Sequence, residues 1–322
     1  MLKLAAPKME TTQLGNSSLK PSRLAYGCWR IAGSWEPEQV TADSLKAGQR
    51  AVFAAVDAGY TFFDHANIYC VGRCEELFGE VLKESPGLRD RILIASKCGI
   101  RFPDDPVPGA PYRYDSSSDH IREACEASLK RLRVDHLDLY QIHRPDYLGD
   151  PHEIAGAFAT LLDAGKVRHF GVSNCRPAYL TALQRACPFP LVANQVEISL
   201  AHRDALDDGT LDQCLAEQLT PMAWSPLGGG QLADGATRVL PSQEGYGSDL
   251  LFKALDELAK QHGTTRANIA LAWLLQHPAK IMPVIGSTKP DRIRTAAQAL
   301  EVKLSREEWY DLLVAARGQR LP

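Results

Sequence analysis

The sequence has no CxxC pair, no low-complexity tract, no apolar run long enough to span a bilayer and no excess of basic charge. Each absence removes a class of function. A membrane-spanning helix needs about 20 consecutive apolar residues, and residues 1–13 carry Lys3 and Lys8 without the apolar segment of a signal peptide. A soluble, cytoplasmic protein with no membrane partner is expected. Lys plus Arg number 36 against 39 Asp plus Glu, a formal net charge of -3. The positive footprint needed to bind a phosphate backbone is missing, so nucleic acid is not an expected partner. The 8 cysteines are scattered. Cys70 and Cys74 come nearest to a pair, but no Cys or His follows at zinc-site spacing; reduced thiols and no metal are expected.

What is present is a long, evenly textured chain. Its 322 residues are 45% hydrophobic, enough for a large core, and no composition break marks a linker, so one domain over 1–322 is expected. Short apolar runs suited to buried strands fall at 24–27, 60–64, 91–97, 137–143, 167–173, 191–197, 221–225 and 281–286. Amphipathic stretches lie between them, among them 45–58, 118–132, 153–164, 177–186 and 207–218, with apolar residues three and four apart. Repeated strand, helix, strand units imply a parallel sheet, closed as a (β/α)8 barrel or open and doubly wound. Periodicity alone does not separate the two. Ahead of the first strand, Gly15-Asn16 sits between alternating residues over 11–20, which suggests a β-hairpin plugging one end. The polar stretch 227–247 is too long for a plain connection and is expected to be a functional loop that closes over a cofactor.

In a parallel barrel the ligand sits at the carboxyl ends of the strands. Those ends are unusually polar here. Asp64 ends the second run and Tyr69 follows it; Lys97 ends the third, His143 the fourth and Ser173-Asn174 the fifth; Gln195 lies near the end of the sixth and Trp224-Ser225 at the seventh. A buried lysine and a buried aspartate need each other. An ammonium beside a phenol lowers the phenol's pKa towards the range of a working acid, and a neutral imidazole can point an N–H at a carbonyl oxygen. Singly, each residue has an ordinary explanation as a cap, a loop aromatic or a solvated charge. Clustered on successive strand ends, they point to general-acid chemistry.

After the eighth run, Gly286-Ser287-Thr288-Lys289-Pro290-Asp291-Arg292 reads as a helix start, capped by Ser or Thr and opened by Pro290. Such a start binds phosphate, and Lys289 and Arg292 add two cations to it. Residues 228–233 formally match a dinucleotide fingerprint, but the strand and acidic residue that should follow are missing.

These stretches together resemble the aldo-keto reductases over nearly the whole chain, and within them the bacterial YdhF-like oxidoreductases. The likeness is carried by DAGYTFFDHANIY, ILIASKCGI, DHLDLYQIHRPD, GKVRHFGVSN, NQVEIS, PMAWSPLGGG and PVIGS. The resemblance implies a closed barrel and an NADPH-dependent reduction of an aldehyde or ketone. Tyr69 would be the general acid, Lys97 and Asp64 would tune it, and His143 would orient a small-molecule carbonyl substrate. It further implies that Ser173, Asn174 and Gln195 hold the nicotinamide carboxamide and that Trp224 stacks on the ring. Gly27, Cys28, Trp29 and Asp64 would border that ring. Ser225, Pro226, Leu227 and Gly228 would line the diphosphate, with Gly286, Ser287, Thr288, Lys289 and Arg292 at the adenosine phosphate. Four departures from the family pattern stand out. His65 and Cys70 replace a common Thr and Gly and are expected to alter substrate access. Trp224 replaces a Tyr, and Ala296-Ala297 replace a Glu-Asn pair that contacts adenine. A competing expectation is a slow or non-catalytic NADPH-sensing subunit on the same fold. Oligomeric state is left open, with a monomer as the default.

Overall fold

The computed structural model describes residues 9–234 and 249–321. Eight parallel strands close into a barrel: β1 (Ala25–Gly27), β2 (Phe62–Asp64), β3 (Leu93–Cys98), β4 (Leu137–Ile142), β5 (Val167–Ser173), β6 (Leu191–Glu197), β7 (Thr220–Trp224) and β8 (Met282–Ile285). Each pairs with the next in sequence, and β8 returns to β1 through Ala25 opposite Val284. That closure decides for the barrel over the open sheet.

Helices α1 (Ala42–Asp57), α2 (Arg73–Glu84), α3 (Ser118–Leu132), α4 (Pro151–Asp163) and α5 (Pro177–Ala186) fill the first crossovers. Within the segment expected to be helical over 207–218 lies α7 (Thr210–Ala216), preceded by a separate short helix, α6 (Asp204–Asp207). Gly209 stands between them at φ +86°, a left-handed conformation that interrupts a helix. Four more follow: α8 (Asp249–Gln261), α9 (Arg266–Leu275), α10 (Pro290–Ala297) and α11 (Arg306–Arg317). Among the described residues, no helix is long and apolar enough to cross a membrane. All 8 cysteines are buried free thiols.

Strand alternation sorts the core into layers and places the polar strand ends. Tyr26, Phe63, Ile94, Tyr140, Phe170 and Ile285 point outward into the layer between sheet and helices. Their neighbours Ala25, Phe62, Ala95, Leu139, Met222 and Val284 fill the barrel interior. Because side chains alternate with period two, the inner row continues upward to Gly27, Asp64, Lys97, His143, Ser173, Gln195, Trp224 and Gly286. One inward position at or just past the end of each of the eight strands therefore lies at the carboxyl mouth.

The opposite end is plugged by the N-terminal hairpin. Its rungs are Thr12 N–H to Pro21 O at 2.9 Å and Leu14 N–H to Leu19 O at 3.0 Å, and the one bridge of strand geometry joins Thr11 to Ser22. Leu14 and Leu19 enter the interior cluster beside Val192 and Met222. Gly15 passes so close to β6 that a Cβ would stand 2.2 Å from the Val192 carbonyl oxygen, which only glycine tolerates. Leu14 is fully buried, so Leu14→Ala should lower unfolding free energy by about 2–5 kcal/mol, read by urea denaturation. A change below about 1 kcal/mol would mean that the plug contributes little packing.

Candidate active site

Asp64 and Lys97 come from adjacent strands, both essentially removed from solvent. The Lys97 ammonium donates to an Asp64 carboxylate oxygen at 2.8 Å, to the His65 carbonyl at 2.7 Å and to the Tyr69 hydroxyl at 3.1 Å. All three ammonium protons are thereby used, which is the condition under which a lysine survives burial. His143 approaches from β4, its ring centroid 5.9 Å from that of Tyr69 and its plane nearly perpendicular.

The protonation states differ in one respect from the sequence expectation. Burial pushes the Tyr69 phenol up to about 12, outweighing the downward pull of Lys97. Tyr69 is thus held firmly in its acid form. Burial also depresses Lys97, but Asp64 and Tyr69 together raise it overall and keep it charged. Burial, reinforced by the charges of Lys97 and Arg144, holds His143 well below the usual histidine value. Its imidazole is neutral at ordinary pH, and its Nδ1 is buried without a hydrogen-bond partner.

Tyr69 is followed by an unusual stretch of backbone. Cys70, Val71 and Gly72 have φ of +48°, +50° and +87°, three successive left-handed residues leading into α2. Only the third is glycine. His65 and Cys70, the two departures expected to alter access, are fully buried and do not line the cavity described below. The His65 ring packs edge-on against Phe78, with centroids 4.6 Å apart. Neither forms part of the cavity wall.

A cavity of about 600 Å³ opens over these groups. Of the residues expected from sequence, Gly27, Trp29, Asp64, Tyr69, His143, Ser173, Asn174, Gln195, Trp224, Ser225, Pro226, Leu227, Gly286, Ser287 and Arg292 line it. Cys28, Lys97, Gly228, Thr288 and Lys289 do not. Lys97 lies beneath the surface that Tyr69 presents, and Cys28 is buried in the outer core layer. Asn174, at φ +58°, accepts from the Trp224 indole N–H at 2.9 Å and donates to the His143 carbonyl at 3.1 Å, so it fixes the aromatic wall. The Ser173 hydroxyl donates to the Gln195 carbonyl at 2.7 Å. The Gln195 amide nitrogen is buried and has no hydrogen-bond partner among the described residues.

At the far end of the cavity is the start of α10. No Ser or Thr side chain caps it, contrary to expectation. The cap position is Lys289, and the Ser287 hydroxyl accepts instead from the Lys289 N–H at 3.1 Å. The Tyr26 and Tyr60 hydroxyls donate to the Ser287 and Ile293 carbonyls, holding this corner in place. Lys289 and Arg292 have no ion-pair partner among the described residues. Gly286 keeps the passage open, because a Cβ there would stand 2.9 Å from the Trp29 indole nitrogen.

Several lining residues were missed by the sequence reading, including Arg30, Arg144, Gly229, Gly230, Asp234, Thr265 and Asn268. Arg144 was within reach, since it directly follows His143 at a strand end. Thr265 caps α9 and Asn268 lies in its first turn, and that helix returns to the mouth from far along the chain and leaves no local signal. Residues 228–230 form a short 3-10 turn rather than a dinucleotide fingerprint. The expected closing loop falls largely on 235–248, outside the described residues.

A closed eight-stranded barrel with this constellation at its mouth defines an oxidoreductase class, and residues 23–313 match the aldo/keto reductase family. The chain belongs to that family, whose members use nicotinamide cofactors. It is 43% identical to the 6-dehydroglucose reductase of Novosphingobium aromaticivorans over 96% of each chain. It is 41% identical to the oxidoreductase YdhF of Escherichia coli, over 94% of this chain and 95% of that one. Among solved structures, glycerol dehydrogenase AKR11B4 from Gluconobacter oxydans superposes with a TM-score of 0.84 at 26% identity, covering 97% of this chain and 98% of that one.

Proposed function

We propose that this protein reduces an aldehyde or ketone to an alcohol with NADPH as cofactor, Tyr69 delivering the proton. One observation carries the reading: a single buried ammonium, Lys97, bonded to both Asp64 and the Tyr69 hydroxyl at the floor of a large cavity. The remaining residues fit a dinucleotide. The unpartnered Gln195 amide suits a carboxamide, with Ser173 and Asn174 holding it and the Trp224 face in position. Ser225, Pro226, Leu227 and the buried Gly228 support the diphosphate stretch, and Gly27, Cys28 and Trp29 form the opposite border. Gly286, Ser287, Thr288, Lys289 and Arg292 take the adenosine end, where the helix start and two cations without an ion-pair partner among the described residues favour a phosphate.

When bound, the reduced nicotinamide supplies a hydride to the carbonyl carbon. The protein's own part is electrostatic and protonic. His143, neutral and orphaned at Nδ1, orients the carbonyl oxygen; Tyr69 donates its proton to that oxygen as negative charge grows there. Lys97, still paired with Asp64, stabilises the phenolate left behind.

Following NADPH absorbance with a panel of aldehydes and ketones tests the reading. Turnover on at least one of them is expected, and none at all with a folded protein that binds NADPH would instead favour a sensing subunit. Cofactor preference has its own test. Replacing Lys289 and Arg292 together by Ala should weaken NADPH relative to NADH by about tenfold or more in fluorescence titration, since charge-assisted contacts to a phosphate are lost. Parallel weakening of both cofactors would remove the basis for assigning NADPH.

A further inference from the structure

The cavity's carboxylates are already engaged, whereas its arginines, Arg30, Arg144 and Arg292, have no ion-pair partner among the described residues. Asp64 is paired with Lys97, Asp291 with Arg294, and Asp234 accepts the Arg266 backbone N–H at 3.1 Å. Arg144 lines the same cavity and has no carboxylate partner among the described residues. Its guanidinium lies 5.9 Å from the centroid of the Trp224 ring. It is the residue immediately after His143, so the chain sets it on the rim beside the groups that meet the carbonyl. Arg30 differs in position: it lies 4.2 Å over Trp29, whose indole closes on Gly286 at the dinucleotide side.

Other aromatic rings line the same cavity. Trp35 stands 6.2 Å from Tyr69 and 6.0 Å from Trp29, centroid to centroid. A guanidinium among rings, without a counter-charge, is stabilised by whatever anion enters, and its planar fork matches carboxylate and phosphate in two-point contact. We infer that Arg144 selects carbonyl substrates carrying an anionic group, a carboxylate being the simplest, at a point remote from the reacting carbon. The inference rests on the carbonyl-reductase reading above.

Matched pairs test it: para-carboxybenzaldehyde against para-methylbenzaldehyde, and succinic semialdehyde against butanal, each with wild type, Arg144→Gln and Arg144→Lys. The wild type is expected to favour the acidic member in kcat/KM by about tenfold or more, and Arg144→Gln to collapse that ratio through KM. Arg144→Lys should keep part of it. A wild-type ratio near one, an Arg144→Gln loss shared equally by both members, or weaker NADPH binding with an unchanged ratio overturns the assignment while leaving carbonyl reduction intact. If nothing is turned over, the carbonyl-reductase reading fails instead. Tryptophan-fluorescence titration with para-carboxybenzyl and para-methylbenzyl alcohol then decides for Arg144. Tighter binding of the acid that Arg144→Gln abolishes supports the assignment, and equal binding in wild type overturns it.

Discussion

Tyr69→Phe is expected to lower turnover of every carbonyl substrate by about 10²- to 10⁴-fold, the usual contribution of a positioned acid. The ring stays and only the hydroxyl goes. Lys97 keeps its bonds to Asp64 and to the His65 carbonyl, so the fold and cofactor binding should survive. Circular dichroism and NADPH titration verify that control, and steady-state kinetics supply the result. A variant within threefold of wild type would remove Tyr69 from the chemistry. The pH dependence gives a second check. On the proposed mechanism Tyr69 is the proton donor, and burial holds it in its acid form up to about 12, while His143 is neutral because its value lies well below the ordinary one. Reduction should therefore run level from about pH 6 to about pH 9, with no inflection at the histidine's usual value.

The second large effect concerns the buried pair. Lys97→Met leaves the Asp64 carboxylate beside a methyl thioether instead of an ammonium 2.8 Å away. Removing one partner of a buried ion pair destabilises by about 3–5 kcal/mol, whereas removing both is often close to neutral. The double variant Asp64→Asn/Lys97→Met should therefore be more stable than Lys97→Met alone, measured by urea unfolding. Activity should not return with stability. Lys97 is what opposes the effect of burial on Tyr69, so without it the phenolate becomes harder still to form. A double variant that regained turnover would show that the ammonium serves only the fold. Stability linkage carries a sign as well. The folded Lys97 titrates above its ordinary value, so its contribution is complete below the unfolded lysine value and is lost as pH rises through the folded one.

Most of this architecture is legible in the sequence because parallel strands covered on both faces read as short apolar runs. All eight barrel strands lie within two residues of those runs. The polar residues ending them break the apolar pattern, which is why Asp64, Lys97 and His143 stood out. What escaped depends on quantities no local pattern encodes. The direction of the Tyr69 shift follows from depth of burial, which outweighs the visible lysine. The break at Gly209 was a matter of one left-handed residue inside an otherwise helical period. Asn268 reaches the cavity because α9 folds back onto the mouth, and Lys289 became the cap because Ser287 turned its hydroxyl to the backbone.

The coil after Tyr69 bears on how the enzyme spends its conformational freedom. Holding Cys70 and a β-branched Val71 left-handed costs about 1–3 kcal/mol each, and that strain is carried by the resting protein. The ring itself is held by the Lys97 hydrogen bond and by its contacts with Trp35 and His143. On the proposed reading, the acid is thereby aimed before any guest arrives. On that reading, selectivity among guests falls to the rim.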